Sequence, residues 1–297
     1  MAAVSISFLP GPVTVRVPAT SANLGPGFDA LGVALTLYDE VTAQIVDGPT
    51  SVEISGEGAA ELPRDEKHLI VKAIRATFDE LGGQPAGVWL SCVNRIPQAR
   101  GLGSSSAAIV AGVTLAQALA GMAGRDQALQ LAGALEGHPD NVAPCILGGF
   151  TIAWLDAQSR AHAVTATPAS LVQPVIFVPD THGLTSVARA ALPASVPHAD
   201  AAFNAGRSAL LVHALTTEPG LLLAATEDRL HQAYRAQSMP GTARLVARLR
   251  EAGVAAVVSG AGPTVLALSD VPPGFDLDGG WIRHNLRFDV VGAHVVS

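Results

Sequence analysis

The stretch RIPQARGLGSSSAAIVAG, residues 95–112, decides how the rest of the chain is read. It runs from a proline through glycine and serine into small apolar residues. That is the pattern of a loop opening into a helix N-terminus, where backbone amides and the helix dipole hold phosphates. Gly101 and Gly103 lack a Cβ, so the backbone there can approach an anion and take positive φ. Ser104, Ser105 and Ser106 add hydroxyl donors. The stretch has no lysine, which the loop G-x-x-x-x-G-K-[ST] requires. A glycine turn followed by serine helix caps would give the same letters with no ligand. By itself the stretch leaves a phosphate loop and a plain turn equally open.

Outward from this stretch, the composition narrows the classes. The chain has 297 residues, 49% of them hydrophobic and only 14% charged. It can bury a large core, as one large domain or two smaller ones, and it is neither disordered nor a charged coil. A net charge of −7 at pH 7 works against non-specific binding to nucleic acid or an anionic membrane. Lys67 and Lys72 are the only lysines, so anion recognition must rest on arginine and backbone amides. Cys92 and Cys145 fit neither a disulfide framework nor a zinc spacing, and Cys92 in VWLSCV reads as a buried thiol. The start MAAVSISFLP lacks a charged leader, and no apolar run is long enough to span a bilayer; a cytoplasmic protein is expected.

Periodicity predicts strands over 13–17, 31–46, 51–55, 87–93, 148–157 and 172–179, with a strand–turn–strand unit over 255–269. Helices are predicted over 66–81, stopped by Gly82-Gly83, over 104–120 and 125–137, and around 199–216 and 240–252. A polar segment after 157 suggests a boundary, giving domains 1–160 and 161–297. The fold class is α+β, because helices and strands cluster rather than alternate strictly.

Three further stretches carry chemistry. VPATSANLGPGFDALGVAL (17–35) places Thr20, Ser21, Asn23 and Asp29 in what reads as a turn-rich link between strands. LEGHPDNVAPCILGGF (135–150) gathers Glu136, His138, Asp140 and Asn141; a helix start capped by Asp140 would also explain it. Carboxylates near a phosphate loop suit Mg²⁺, which takes one or two of them plus phosphate oxygens. VVSGAGPTVLAL (257–268) is either a hairpin turn or a surface on which another backbone packs closely.

In order along the chain, these four stretches resemble the motifs of the GHMP kinases, the small-molecule kinases named for galactose, homoserine, mevalonate and phosphomevalonate. The resemblance runs from about Val13 to Leu268. Ala19-Thr20-Ser21-Ala22-Asn23, where relatives acting on mevalonate carry a lysine, and the run EGHPDNVAP resemble the homoserine branch. The resemblance implies an N-terminal domain similar to domain 2 of ribosomal protein S5, a ferredoxin-like C-terminal domain, and an active site between them. It also implies ATP and L-homoserine as substrates, Mg²⁺ as cofactor and a role in threonine biosynthesis. A homodimer is left open, and neither nucleic acid nor membrane is an expected partner.

The same resemblance distributes roles. ATP would sit on Pro97, Gly101, Leu102, Gly103, Ser104, Ser105, Ser106 and Ala107, with Ser105 and Glu136 holding Mg²⁺. Ser259, Gly260, Gly262 and Thr264 would support that loop from beneath. Arg189 and Arg235 would take the substrate carboxylate, which suits a guanidinium fork. Asp29 would take its ammonium, and Asn23 would orient it. His138, Asp140 and Asn141 would lie near the reacting hydroxyl, Asp140 as the candidate base. The alternatives are a GHMP kinase for a mevalonate-like alcohol or a sugar, and a non-catalytic ligand sensor with this fold. RNA binding through the S5-like half is disfavoured by the acidity of the chain.

Overall fold

The computed structural model describes residues 7–277 and 279–296. The first sheet is built on a long antiparallel pair, β1 (Val13–Asn23) and β2 (Gly27–Val46). β2 is long enough to serve two neighbours. Its second half pairs with β4 (Gly87–Asn94), which in turn pairs in parallel with β3 (Ser51–Gly56). Its first half pairs with β5 (Phe150–Leu155), which continues to β6 (Ala161–Ala166).

Helices α1 (Leu69–Leu81), α2 (Ser104–Leu119), α3 (Arg125–Glu136) and α4 (Pro139–Leu147) belong to the same half of the molecule. α2 is apolar on nearly every face and is accordingly buried along most of its length. Gly112 lets it lie against α1: a Cβ there would come within 2.6 Å of the Ile70 carbonyl. α1 ends as the sequence predicts, with Gly82 in the left-handed region at φ 86° and its amide bonded to Phe78 and Asp79 carbonyls.

The second sheet has the order β10 (Trp281–Asn285), β7 (Val175–Pro179), β9 (Val265–Ala267), β8 (Ala256–Val258), all antiparallel. Its strands alternate between two cores. Ile176, Val178, Val257 and Leu266 join the large core shared with the first sheet. Val175, Phe177, Val265 and Ala267 pack instead on Leu245 and Leu249 of α9 (Pro240–Glu251). Between β7 and α9 come the short α5 (Thr185–Ala190), the long α6 (His198–Thr216), α7 (Leu222–Ala225) and α8 (Gln232–Arg235).

Several expectations change. Residues 18–23, read as part of a turn, are strand: β1 runs on through a register shift at Pro18/Ala19, and only 24–26 form the turn. The sheets also divide the chain differently from a cut at 160/161. β6 belongs to the first sheet, and the C-terminal β11 (His294–Val296) returns to pair with β1. Neither edge strand has a distinctive pattern. The Asp289 carboxylate fastens this return, accepting from the Tyr38 hydroxyl at 2.8 Å and from the amides of Val291 and Gly292.

Candidate active site

A cavity of about 550 Å³ opens where the two sheets meet, and the stretches singled out in the sequence converge on it. Gly103 caps the start of α2 in the left-handed region, φ 67°, with Gly101 at φ 76°. Both conformations favour glycine, and space demands it too. A Cβ on Gly101 would collide with the Ser259 carbonyl, and one on Gly103 with the Thr20 hydroxyl. The 101–106 loop is therefore seated on other backbone, not merely turned.

The late loop provides that seat. The Ser259 hydroxyl lies 2.6 Å from the Gly101 carbonyl and 2.8 Å from the Ser21 hydroxyl. The Thr264 amide donates to Arg100 O, and the Gly260 amide to Ala22 O. The structure thus favours close backbone packing over a free hairpin turn for 257–268. Gly260 also lines the cavity; Gly262 lies behind it, at φ 84°.

At the mouth of α2, the hydroxyls of Ser105 and Ser106 each donate to a different oxygen of Glu136, both at 2.9 Å. Ser105 is exposed and Ser106 buried. Glu136 is the last residue of α3, and the turn at Gly137 carries the chain directly into α4. His138 occupies the cap position of α4 without a side-chain cap bond, and Pro139 begins the helix. Asp140, expected as the cap, instead lies inside the first turn because Pro139 already has helical geometry. Its Oδ1 accepts from His138 Nδ1 at 2.7 Å and from the Asn141 amide at 3.0 Å. That hydrogen bond raises the His138 pKa above its ordinary value, against the opposing effect of burial. Asn141 Oδ1 accepts from the Thr20 hydroxyl at 2.8 Å, tying α4 to β1 beneath Gly103.

Another part of the lining carries an ion pair and a buried arginine. Asp29 and Arg189, assigned to opposite ends of a substrate, pair with each other: Nη2–Oδ1 is 2.8 Å and Nη1–Oδ2 is 3.1 Å. Asp29 has φ 54°, held by its amide donating to Asn23 Oδ1 at 2.9 Å, while Asn23 Nδ2 donates to the Gly260 carbonyl. Arg235 is 2% exposed yet lines the cavity, its Nε bonded to the Ala188 carbonyl. Burial lowers its pKa, the neighbouring Arg189 charge adding to the effect. Both guanidinium groups lie over the Phe28 ring, Arg189 at 5.8 Å and Arg235 at 5.4 Å from its centroid.

Of the residues expected to line the site, Leu102 faces the core and Pro97 borders neither this cavity nor its neighbour. Ala107 lines the neighbour, an apolar recess of about 230 Å³ behind Ser104 and Ser105. Sequence reading missed this recess and two of its polar groups. His68 caps α1 through Nδ1, and its buried Nε2 has no hydrogen-bond partner. Burial pushes the Asp39 carboxyl up to about 6, although the amides of Ile96 and Arg95 bond to it. His68 sits at an ordinary-looking helix start and Asp39 inside β2, and their convergence depends on long-range packing.

Such a cleft, with a lysine-free glycine–serine loop on a helix mouth and a second glycine loop beneath it, is that of the GHMP small-molecule kinases. Family models agree: GHMP kinases N terminal domain matches residues 68–149 and GHMP kinases C terminal matches residues 211–272. The chain is 55% identical to the homoserine kinase of Streptomyces coelicolor, covering 98% of this chain and 96% of that protein. It is 54% identical to the homoserine kinase of Streptomyces avermitilis, over 98% and 97% of the two chains. The crystal structure of homoserine kinase from Cytophaga hutchinsonii superposes with a TM-score of 0.84 at 28% identity, covering 98% of each chain. Mevalonate diphosphate decarboxylase from Staphylococcus aureus shares the fold, with a TM-score of 0.65 at 16% identity. The chain belongs to the homoserine kinase family.

Proposed function

We propose that the protein transfers the γ-phosphoryl group of ATP to the side-chain hydroxyl of L-homoserine, giving O-phospho-L-homoserine and ADP in threonine biosynthesis. One observation carries this beyond the kinship. A single cavity is lined both by Gly101, Gly103 and the serines at the α2 start and by Asp29, Arg189 and Arg235. A sugar offers no charge to the last three, and mevalonate has no ammonium for Asp29. An amino acid with a side-chain hydroxyl offers both.

The triphosphate lies on the amides and hydroxyls of Gly101–Ser106 at the α2 N-terminus. The adenine enters the recess beside it, where the unpartnered His68 Nε2 and the Asp39 carboxyl supply polar contacts in an apolar slot. The donors Ser105 Oγ and Glu136 carboxylate are hard oxygens 2.9 Å apart, a set that fits Mg²⁺ completed by phosphate oxygens and water. Bound there, Mg²⁺ would neutralise phosphate charge. Among the described residues no three His, Cys, Asp or Glu side chains cluster so as to hold a metal ion by themselves.

Homoserine exchanges the Asp29–Arg189 pair for contacts to its own ammonium and carboxylate, and Arg235 makes the second carboxylate contact. As the new oxygen–phosphorus bond forms, the bond from the γ-phosphorus to the ADP oxygen breaks and the hydroxyl loses its proton. Asp140, held by His138 and the Asn141 amide, is the candidate acceptor. The described helices include none long and apolar enough to cross a membrane; ATP and homoserine as substrates support a cytoplasmic location. ADP release measured with homoserine, serine, threonine and mevalonate tests the reading. Homoserine should stimulate release most strongly, and no stimulation by homoserine would refute it.

A further inference from the structure

Arg235 is nearly inaccessible to solvent and needs something to aim its guanidinium. Its carrier, α8, is a single turn of helix, too short to hold a long side chain by itself. Asp228 anchors that turn by accepting from the amides of Leu230, His231 and Gln232 at 2.8, 3.1 and 2.7 Å. His231, four residues before Arg235 and on the same face, is fully buried. Its Nδ1 lies 3.2 Å from Arg235 Nη1, and its Nε2 lies 2.7 Å from the Gly25 carbonyl.

A guanidinium can only donate. His231 Nδ1 must therefore accept, which puts the ring proton on Nε2, where it donates to Gly25. The imidazole is locked as one neutral tautomer. Gly25 belongs to the turn that follows Asn23 and leads to Asp29, and a Cβ there would lie 2.6 Å from the Thr226 carbonyl. The His231 ring also lies 5.2 Å from Phe28, which the Arg235 charge faces. The other charges near the ring are Asp228, 3.7 Å from Nε2, and Asp29, whose field reaches it from β2.

We infer that His231 is a positioning residue for substrate recognition, fixing the Arg235 guanidinium with one ring nitrogen and the Asn23–Asp29 turn with the other. It links the carboxylate-binding and ammonium-binding sides of the site through a single ring. The inference rests on the proposed homoserine reaction.

Steady-state kinetics of His231→Leu, His231→Asn and His231→Gln, alone and combined with Arg235→Ala, test it. Losing a hydrogen bond to a charged group predicts a rise in KM for homoserine of about tenfold or more in His231→Leu, with KM for ATP changed less than about twofold. His231→Asn, whose amide oxygen falls near the Nδ1 position, should restore much of this; His231→Gln, which reaches toward Gly25 instead, should restore less. In the Arg235→Ala background, His231→Leu should raise the KM for homoserine by a smaller factor than it does alone, because only the Gly25 contact is then left to lose. Independent, multiplying effects of the two substitutions would overturn the inference, as would parallel loss for both substrates in all three His231 variants. If His231→Leu does not fold, the Asn–Gln comparison decides: equal KM values for homoserine would overturn it. Wild-type protein that releases no ADP with homoserine would instead defeat the reaction itself, before any variant is compared.

Discussion

Arg189→Ala separates recognition from stability. Arg189 is satisfied by Asp29, but the two side chains remain 39% and 38% exposed. Solvent screening at that exposure limits the pair to about 1 kcal/mol of stability at most, so the variant should melt only about 2 °C lower. Binding is a different matter. A homoserine carboxylate that takes over both guanidinium bonds gains about 3 kcal/mol from two charge-assisted contacts, counted at the low end. From this must be subtracted the roughly 1 kcal/mol of Asp29 pairing that the wild type gives up and the variant does not. The net loss is about 2 kcal/mol, or about 30-fold in kcat/KM for homoserine. Arg189 pairs with Asp29 and not with the 101–106 loop proposed to hold ATP, so KM for ATP should stay within about twofold. A coupled ADP-release assay with each substrate varied in turn gives both numbers. An unchanged kcat/KM for homoserine, or an equal deterioration for ATP, would refute the assignment of Arg189 to the carboxylate.

Three other substitutions test the geometry. Asp140→Asn should cut turnover by at least about 100-fold if Asp140 accepts the proton, and near-normal turnover excludes that role. The same variant should lower the His138 pKa, read by NMR titration, because Asp140 is what raises it. The stabilisation from that raised pKa is full below about 6.5 and is lost as pH rises through the folded value, so Asp140→Asn should reduce stability mainly on the acid side. Glu136→Gln should raise the Mg²⁺ concentration needed for half-maximal activity; an unaltered Mg²⁺ dependence would remove Glu136 from the metal site. Gly101→Ala places a Cβ against the Ser259 carbonyl at φ 76° and should cost more than the roughly 1–2 kcal/mol of a left-handed alanine. Thermal melting checks it, and wild-type stability would show that the loop does not need this close seat.

The helices around the phosphate loop were legible because their signals are local. The apolar run of α2 and the Gly82-Gly83 stop after α1 both predict what forms, within the uncertainty of helix ends. The segment 18–23 was not legible as strand. Its Pro, Thr, Ser and Asn favour turns, yet the pairing of Ala19–Ala22 with Gly32–Leu35 overrides them. The same holds for β6 and β11, whose polar or short sequences become strands only through the neighbours that pair with them.

For the site, the order of motifs by itself determined the class of chemistry. Glycine and serine at a helix mouth, a carboxylate segment and a second glycine loop, in that order, carry the resemblance from which phosphate binding is expected before any coordinate is known. Residue types carry that much because backbone amides, hydroxyls and carboxylates have fixed chemistry wherever they lie. Only the tertiary structure decided which groups meet. It joined Asp29 to Arg189 across 160 residues, buried Arg235 against His231, and left the His68 Nε2 without a partner beside the loop. Such pairings depend on which faces the two sheets bury against each other. Spacing along the chain cannot encode them, because packing sets the distance between residues remote in sequence.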